Sequence, residues 1–147
     1  MIDRSIIGTT SPPMTMTVER GKIMEFARSI LDDNPVYFGP DPAVPLTFCV
    51  TAAHWQAEGH EPVPAGLDMS RLLHGEQEFE YLGEIHAGDT LTTRGSIVDV
   101  YEKEGSRGGT MTFIESETIF TNQHGEDVLK MRGILIETSG AGTQDES

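Results

Sequence analysis

The sequence predicts an α+β domain in which a long antiparallel sheet wraps around one central apolar helix. Three observations predict it. Residues 45–60, PLTFCVTAAHWQAEGH, are apolar on nearly every side over a helical length, the mark of a helix buried all round. Everything after residue 75 reads as long strands separated by glycine-bearing turns. A chain of 147 residues is one ordinary domain, so helix and strands must share one core.

The elements follow in order. MTMTVE, from Met14, supplies a short N-terminal strand. Residues 20–31, RGKIMEFARSIL, place Ile23, Phe26, Ala27, Ile30 and Leu31 on one face at helical period, so this helix packs on something flat. It ends at Asn34-Pro35, because the residue before a proline is pushed out of the helical region. Pro45 suits the first position of the central helix and Gly59 the residue past its end. FCVT within it is β-prone, but the run continues at helical length. Residues 61–75 connect, with one helical turn at SRLL. Four strands then follow, EQEFEYL, LTTRGSIVDVYEKE, TMTFIESETIFTN and DVLKMRGILIET, with turns at HAGD, GSRGG and QHGE. In the third, Met111 and Phe113 point to one face while Ile114 and Phe120 belong to the other, which predicts a bulge or strong coiling. Strands about 35 Å long, at about 3.3 Å per residue, suit a sheet that curls around the helix. Such a sheet is a single hot-dog fold, occupying residues 1–138, with 139–147 (SGAGTQDES) as a disordered tail. Its free edges predict association edge to edge or through the helix layer.

Charge narrows the function classes. Ten Lys and Arg against 24 Asp and Glu give −14, which repels nucleic acid and leaves no basic stripe to hold it. The same charge disfavours docking of coenzyme A phosphates or an acidic carrier protein, so another subunit would have to supply a basic surface. No apolar run approaches the roughly 18 residues that span a bilayer, and MIDRSIIGTTSPPM lacks the features of a secretory signal. No membrane association and a cytoplasmic location are expected. Cys49, the one cysteine, lies in the apolar helix as a packed thiol, which excludes an intramolecular disulfide and a thiolate metal cluster. His54 and His60 are six apart rather than four, and with His86 and His124 form no metal set. No phosphate-binding glycine loop or nucleophile elbow is present, so no cofactor is expected.

The blocks LDDNPVYFGPDPA, PLTFCVTAAHW, HGEQEFEYLGEIHAGDTL and GGTMTFIESETIFTNQHGE, in this order, resemble the N-terminal-type half of MaoC-like hydratases and dehydratases over roughly residues 5–137. The resemblance implies a GDxNPxHxD-like segment whose aspartate and histidine activate water for addition to an enoyl thioester, or dehydrate a 3-hydroxyacyl thioester in reverse. Asp32 takes the aspartate place and Asn34-Pro35 match. Leu31, however, stands for the glycine, Tyr37 for the histidine and Gly39 for the last aspartate. A phenol of pKa about 10 is a poor base where an imidazole of pKa about 6.5 is needed. The family includes two-part enzymes in which one hot-dog unit keeps the catalytic pair and a degenerate unit shapes the acyl tunnel, as fused or separate chains. This chain resembles the separate degenerate half.

Each candidate residue has a plainer reading beside the functional one. Asp32 and Asn34 either serve hydrogen bonds within the turn or line a pocket. Tyr37 is a packed aromatic or a pocket wall. His74 is an ordinary hydrogen-bonding residue at a strand start or a ligand contact, and Gly75 permits a bend or brings backbone close to a thioester carbonyl. Phe48, Val50 and Trp55 have core spacing, and a tunnel wall would look the same. The expectation is therefore a substrate-binding subunit with no catalytic residue of its own. Asp32, Asn34, Tyr37, His74 and Gly75 line the degenerate pocket, and Phe48, Val50 and Trp55 border the acyl chain. A partner hot-dog chain supplies the Asp/His pair of an (R)-specific enoyl-thioester hydratase or 3-hydroxyacyl dehydratase. The alternatives are a self-sufficient homodimeric hydratase or thioesterase, and a non-enzymatic acyl-thioester binder.

Overall fold

A computed structural model describes residues 4–55, 67–105 and 109–139. Strand β1 (Met14–Thr17) leads into helix α1 (Arg20–Ser29). After the connection come β2 (Leu72–Tyr81), β3 (Thr90–Glu104), β4 (Thr110–Thr121) and β5 (Asp127–Glu137). The strands form one antiparallel sheet in the order β1-β3-β4-β5-β2, so the first two strands in the chain occupy its two edges.

Alternation sorts the sheet into two faces. On the inner face Met16 pairs with Leu91, Thr93 with Phe120, and Phe120 with Leu129, all of them almost completely buried. Phe79 and Met131, paired with each other, extend this face toward β2. Helix α1 closes over the face with Ile23 and Ala27, and Phe26 meets Phe48 edge-on, with ring centroids 5.7 Å apart. Burying each such large side chain contributes about 1.5 to 3 kcal/mol, which is why apolar periodicity set this architecture.

Three details differ from the sequence reading. The central segment is a 3-10 coil, Phe48–Trp55, and it is buried on one side only, through Phe48, Cys49 and Ala52. Val50 and Trp55 remain 41% and 36% exposed, and Leu46 just before them 73%. One chain offers one sheet face, so a segment apolar on all sides keeps an uncovered side. The rest of the predicted helix, residues 56–60, lies outside the described residues, as does 140–147 of the predicted tail.

The second difference concerns the phase change expected in β4. Met111 and Phe113 do lie opposite Ile114 and Phe120, yet β4 alternates without a break from Thr112 to Phe120 along β5. The register shift sits across from it in β3, between Ile97 and Asp99. Phe113 is apolar on the outer face because it stacks on Tyr101 at 5.1 Å, with the Lys103 ammonium 4.9 Å from each ring. Third, α1 stops at Ser29, so Leu31 falls off its apolar face and stands 91% exposed.

Candidate functional site

Helix α1 ends in a Schellman motif. The Leu31 N–H donates to the Arg28 carbonyl at 3.1 Å and the Asp32 N–H to the Ala27 carbonyl at 2.9 Å. That geometry puts Leu31 at φ 58°, a left-handed conformation that glycine adopts freely and leucine does not. The position at which the family segment has glycine is thus one where backbone geometry favours glycine, and here a leucine fills it.

The polar residues that follow are occupied by their own turn. Asp32 Oδ1 accepts the Asn34 N–H at 3.0 Å, and Asn34 Oδ1 accepts the Val36 N–H at 3.1 Å. Asn34 thereby caps the 3-10 turn Pro35–Tyr37, with Pro35 at the position where its missing N–H costs nothing. The Ala43 N–H donates to the Val36 carbonyl at 3.0 Å, and Arg20 Nε to the Gly39 carbonyl at 3.0 Å, holding the loop against α1. The Asp32 carboxylate thus has a structural role, accepting a backbone N–H within the turn. Tyr37 packs its ring against the core, and its hydroxyl makes no hydrogen bond among the described residues.

His74 and Gly75 lie on edge strand β2. The start of the strand is clamped: Asp68 Oδ1 accepts the Ser70 N–H at 3.0 Å, and Arg71 pairs with Asp68 at 3.0 Å and with buried Glu137 at 2.9 Å. The Ser70 hydrogen bonds hold the Asp68 carboxyl below the usual carboxylate range. Registers His74 with Leu135 and Gln77 with Gly133 place His74 and Gln77 on the inner face, His74 Nε2 lying 3.3 Å from Gln77 Oε1. Gln77 is itself fixed by a 2.7 Å bond to the Arg132 carbonyl. Gly75 is the bulge between His74 and Glu76, and a Cβ there would meet Ile136 Cδ1 at 2.7 Å. Its missing side chain accommodates a neighbouring strand.

Within one chain Asp32 and His74 share no hydrogen bond or ion pair among the described residues, so a pairing of the two in a self-sufficient homodimer would have to form across the interface. Phe48 is fully buried, while Val50 and Trp55 present the uncovered apolar side of the 3-10 coil. Beneath that coil is a hollow of about 100 Å³ bordered by Met14, Ala52, Ala53, Thr93, Gly95 and Thr118. Sequence reasoning missed it. Its only sequence signal is the coincidence of small residues, Ala52-Ala53 and Gly95, on elements that face each other. Near it, the Thr51 hydroxyl in the same coil is buried without a partner among the described residues.

Two groups at the floor of the coil titrate high. Burial pushes the Cys49 thiol up to about 12, so it is no nucleophile at neutral pH. Burial, and secondarily Cys49, push the Tyr81 phenol up to about 12, and its hydroxyl donates to the Leu46 carbonyl at 2.6 Å. No group of three His, Cys, Asp or Glu able to hold a metal occurs among the described residues, and His60 lies outside them. No helix among them is long and apolar enough to cross a membrane.

The family model for the "FAS1-like, dehydratase domain region" matches residues 5–131. The chain belongs to this MaoC-like hot-dog family. A "UPF0336 protein" from Streptomyces avermitilis is 37% identical to this MaoC-like chain over 117 residues, covering 71% of it and 77% of the relative. The crystal structure of a C-terminally truncated HadBC (3R-hydroxyacyl-ACP dehydratase) complex from Mycobacterium tuberculosis superimposes with a TM-score of 0.71 at 26% identity, covering 89% of this chain and 96% of that one. A structure described as a MaoC-like dehydratase superimposes at 0.76 with 24% identity, and there 92% of this chain spans only 43% of the other.

Proposed function

We propose that this MaoC-like chain is the non-catalytic, substrate-binding subunit of an (R)-specific enoyl-thioester hydratase or 3-hydroxyacyl-thioester dehydratase. The single observation that carries the reading is the state of the Asp32 segment. Its carboxylate and the Asn34 amide are engaged by backbone donors, and the side chain five positions on is the phenol of Tyr37 rather than an imidazole. Addition of water to the double bond calls for a base largely unprotonated near neutral pH. A partner hot-dog chain with an intact Asp/His pair supplies it. The similarity to one chain of a complex described as a 3R-hydroxyacyl-ACP dehydratase supports a division of labour between chains. So does the match to less than half of a longer MaoC-like dehydratase.

In this reading each of the chain's own residues has a binding role. Val50 and Trp55 offer open apolar surface to the acyl chain, with Phe48 supporting them from below. Tyr37, whose hydroxyl has no partner among the described residues, walls the pocket, Asp32 and Asn34 hold the loop that carries it, and His74 and Gly75 close the far side. The net charge of −14 leaves docking of a phosphate-bearing carrier to the partner, in the cytoplasm where thioester substrates occur. Co-expression with a hot-dog chain that retains the whole Asp/His segment, followed by a hydration assay on crotonyl thioester, tests the reading. The pair is expected to turn over where neither chain alone does so at the same rate. An active homodimer of this chain points instead to the self-sufficient enzyme, and thioester binding with no turnover in any pairing points to a binder.

A further inference from the structure

Among the described residues, edge strand β2 has one neighbour, β5, and so presents an unpaired backbone side along its ten residues. On the outer face it carries a row of glutamates. Glu76 pairs in register with Ile134, Glu78 with Arg132 and Glu80 with Lys130. Glu80 reaches Lys130 at 3.8 Å, but Arg132 turns away to Glu115 at 3.2 Å. Glu76 and Glu78 have no ion pair among the described residues. At the C-terminal end of the strand, the Tyr81 hydroxyl bonds the carbonyl of Leu46, whose side chain is exposed. An unpaired edge of this length is a template for another strand, and the exposed Leu46 at its end extends the surface such a contact covers.

Symmetry decides which strand it accepts. Two identical edges pair antiparallel about a two-fold axis perpendicular to the sheet, and directly opposed residues then come from the same face. An axis through Glu78 sets Glu78 against its own copy and Glu76 against Glu80. A shift by one position along the strand still opposes Glu76 to Glu78 or Glu78 to Glu80. Like charges directly opposite one another are destabilising. We infer that the outward row Glu76, Glu78 and Glu80 selects against edge pairing with a second copy of this chain. It selects for a hot-dog chain whose facing edge strand carries lysine or arginine at alternate outward positions. This rests on the partner reading above and adds to it what the partner's edge must look like. A net charge of −14 makes the whole chain favour approach by a basic partner, and the edge row makes that preference local to one strand.

The test uses the full chain as its own probe, by sedimentation equilibrium at about 0.01 M and 0.5 M salt, where the Debye lengths are about 30 Å and a few Å. Three samples are compared: wild type, the triple variant E76Q/E78Q/E80Q, and an equimolar mixture of wild type with E76K/E78K/E80K. Wild type is expected to self-associate most weakly, and more tightly as salt rises. The glutamine variant is expected to self-associate about tenfold more tightly at low salt. The mixture is expected to form a one-to-one pair tighter than either component alone, weakening as salt rises. Circular dichroism checks folding, and if the lysine variant does not fold, the glutamine variant against wild type decides alone. Self-association of wild type equal to that of the glutamine variant and indifferent to salt overturns the inference. If that result accompanies a chain that is inactive until a catalytic chain is added, the partner reading stands and only the edge selection fails. Hydration by wild type alone, with the expected salt dependence, fails the partner reading and leaves the edge selection intact.

Discussion

The turn at Asp32–Tyr37 and the edge strand Leu72–Tyr81 are both polar, exposed stretches, and they differ in where their polarity goes. In the turn, Asp32 and Asn34 each accept a backbone N–H two residues on, and the helix end before them is closed by paired carbonyls. Along the edge, among the described residues, a backbone side has no partner, Glu76 and Glu78 have no ion pair, and His74 makes one loose contact with Gln77. The turn uses one oxygen each of Asp32 and Asn34 on itself, while the edge leaves its polar groups for another chain. The turn therefore has a structural role for Asp32 and Asn34 beside the pocket-lining role that the resemblance implies.

That contrast can be broken or sharpened by substitution. The largest stability effect is expected at the edge rather than in the turn. Gly75→Val drives a branched side chain into Ile136, whose Cδ1 lies 2.7 Å from the position of a Cβ. Its cost is expected to be about 2 kcal/mol, read as a lowered denaturant midpoint at constant slope. No loss would mean that the bulge is not fixed by β5. Asn34→Ala removes the cap on Val36 and should cost about 1 kcal/mol in the same titration. An unchanged midpoint would show that the turn does not depend on it.

Leu31→Gly has the opposite sign. Relieving a left-handed leucine that is 91% exposed gives up almost no burial, and the expected gain is up to about 1 kcal/mol after the extra unfolded-state freedom of glycine. A thermal melt shifted downward would mean that Leu31 makes a contact worth more than its strain. The smallest effect is confined to alkaline solution. Cys49 and Tyr81 both have folded pKa values raised to about 12 from 9.0 and 10.0 by burial, so over that window the native state holds more protons than the unfolded. Their contribution is fully present below pH 9 and is lost as pH rises toward 12. Stability should decline there, and Tyr81→Phe should make the decline shallower. A stability curve of unchanged slope in that variant would remove Tyr81 from the account.

Much of the fold was legible in the sequence because it rests on period. Alternation along β3, β4 and β5 reflects which side chains face one core, and the MaoC-like blocks fix their order. The central segment was legible as apolar but not as half-covered, because composition records what a side chain prefers to bury against and not whether the same chain provides it. The apparent phase change at Phe113 and Ile114 had the same origin. A stacked pair on the outer face, Tyr101 with Phe113, looks like core in one dimension. Of the site, the Asp32–Tyr37 deviations were visible residue by residue. The bend at Gly75 was visible as one of its two readings, whereas the hollow bordered by Ala52 and Gly95 was not, since it arises from residues far apart in the chain.

The most direct measurement is hydration of crotonyl thioester by the purified chain, free of any other hot-dog protein, alongside its Asp32→Ala variant. The account predicts that neither exceeds the uncatalysed background, because one oxygen of the Asp32 carboxylate serves its turn and no imidazole among the described residues bonds to it. Full turnover by the unaccompanied chain, abolished in Asp32→Ala while the protein remains folded, would contradict it.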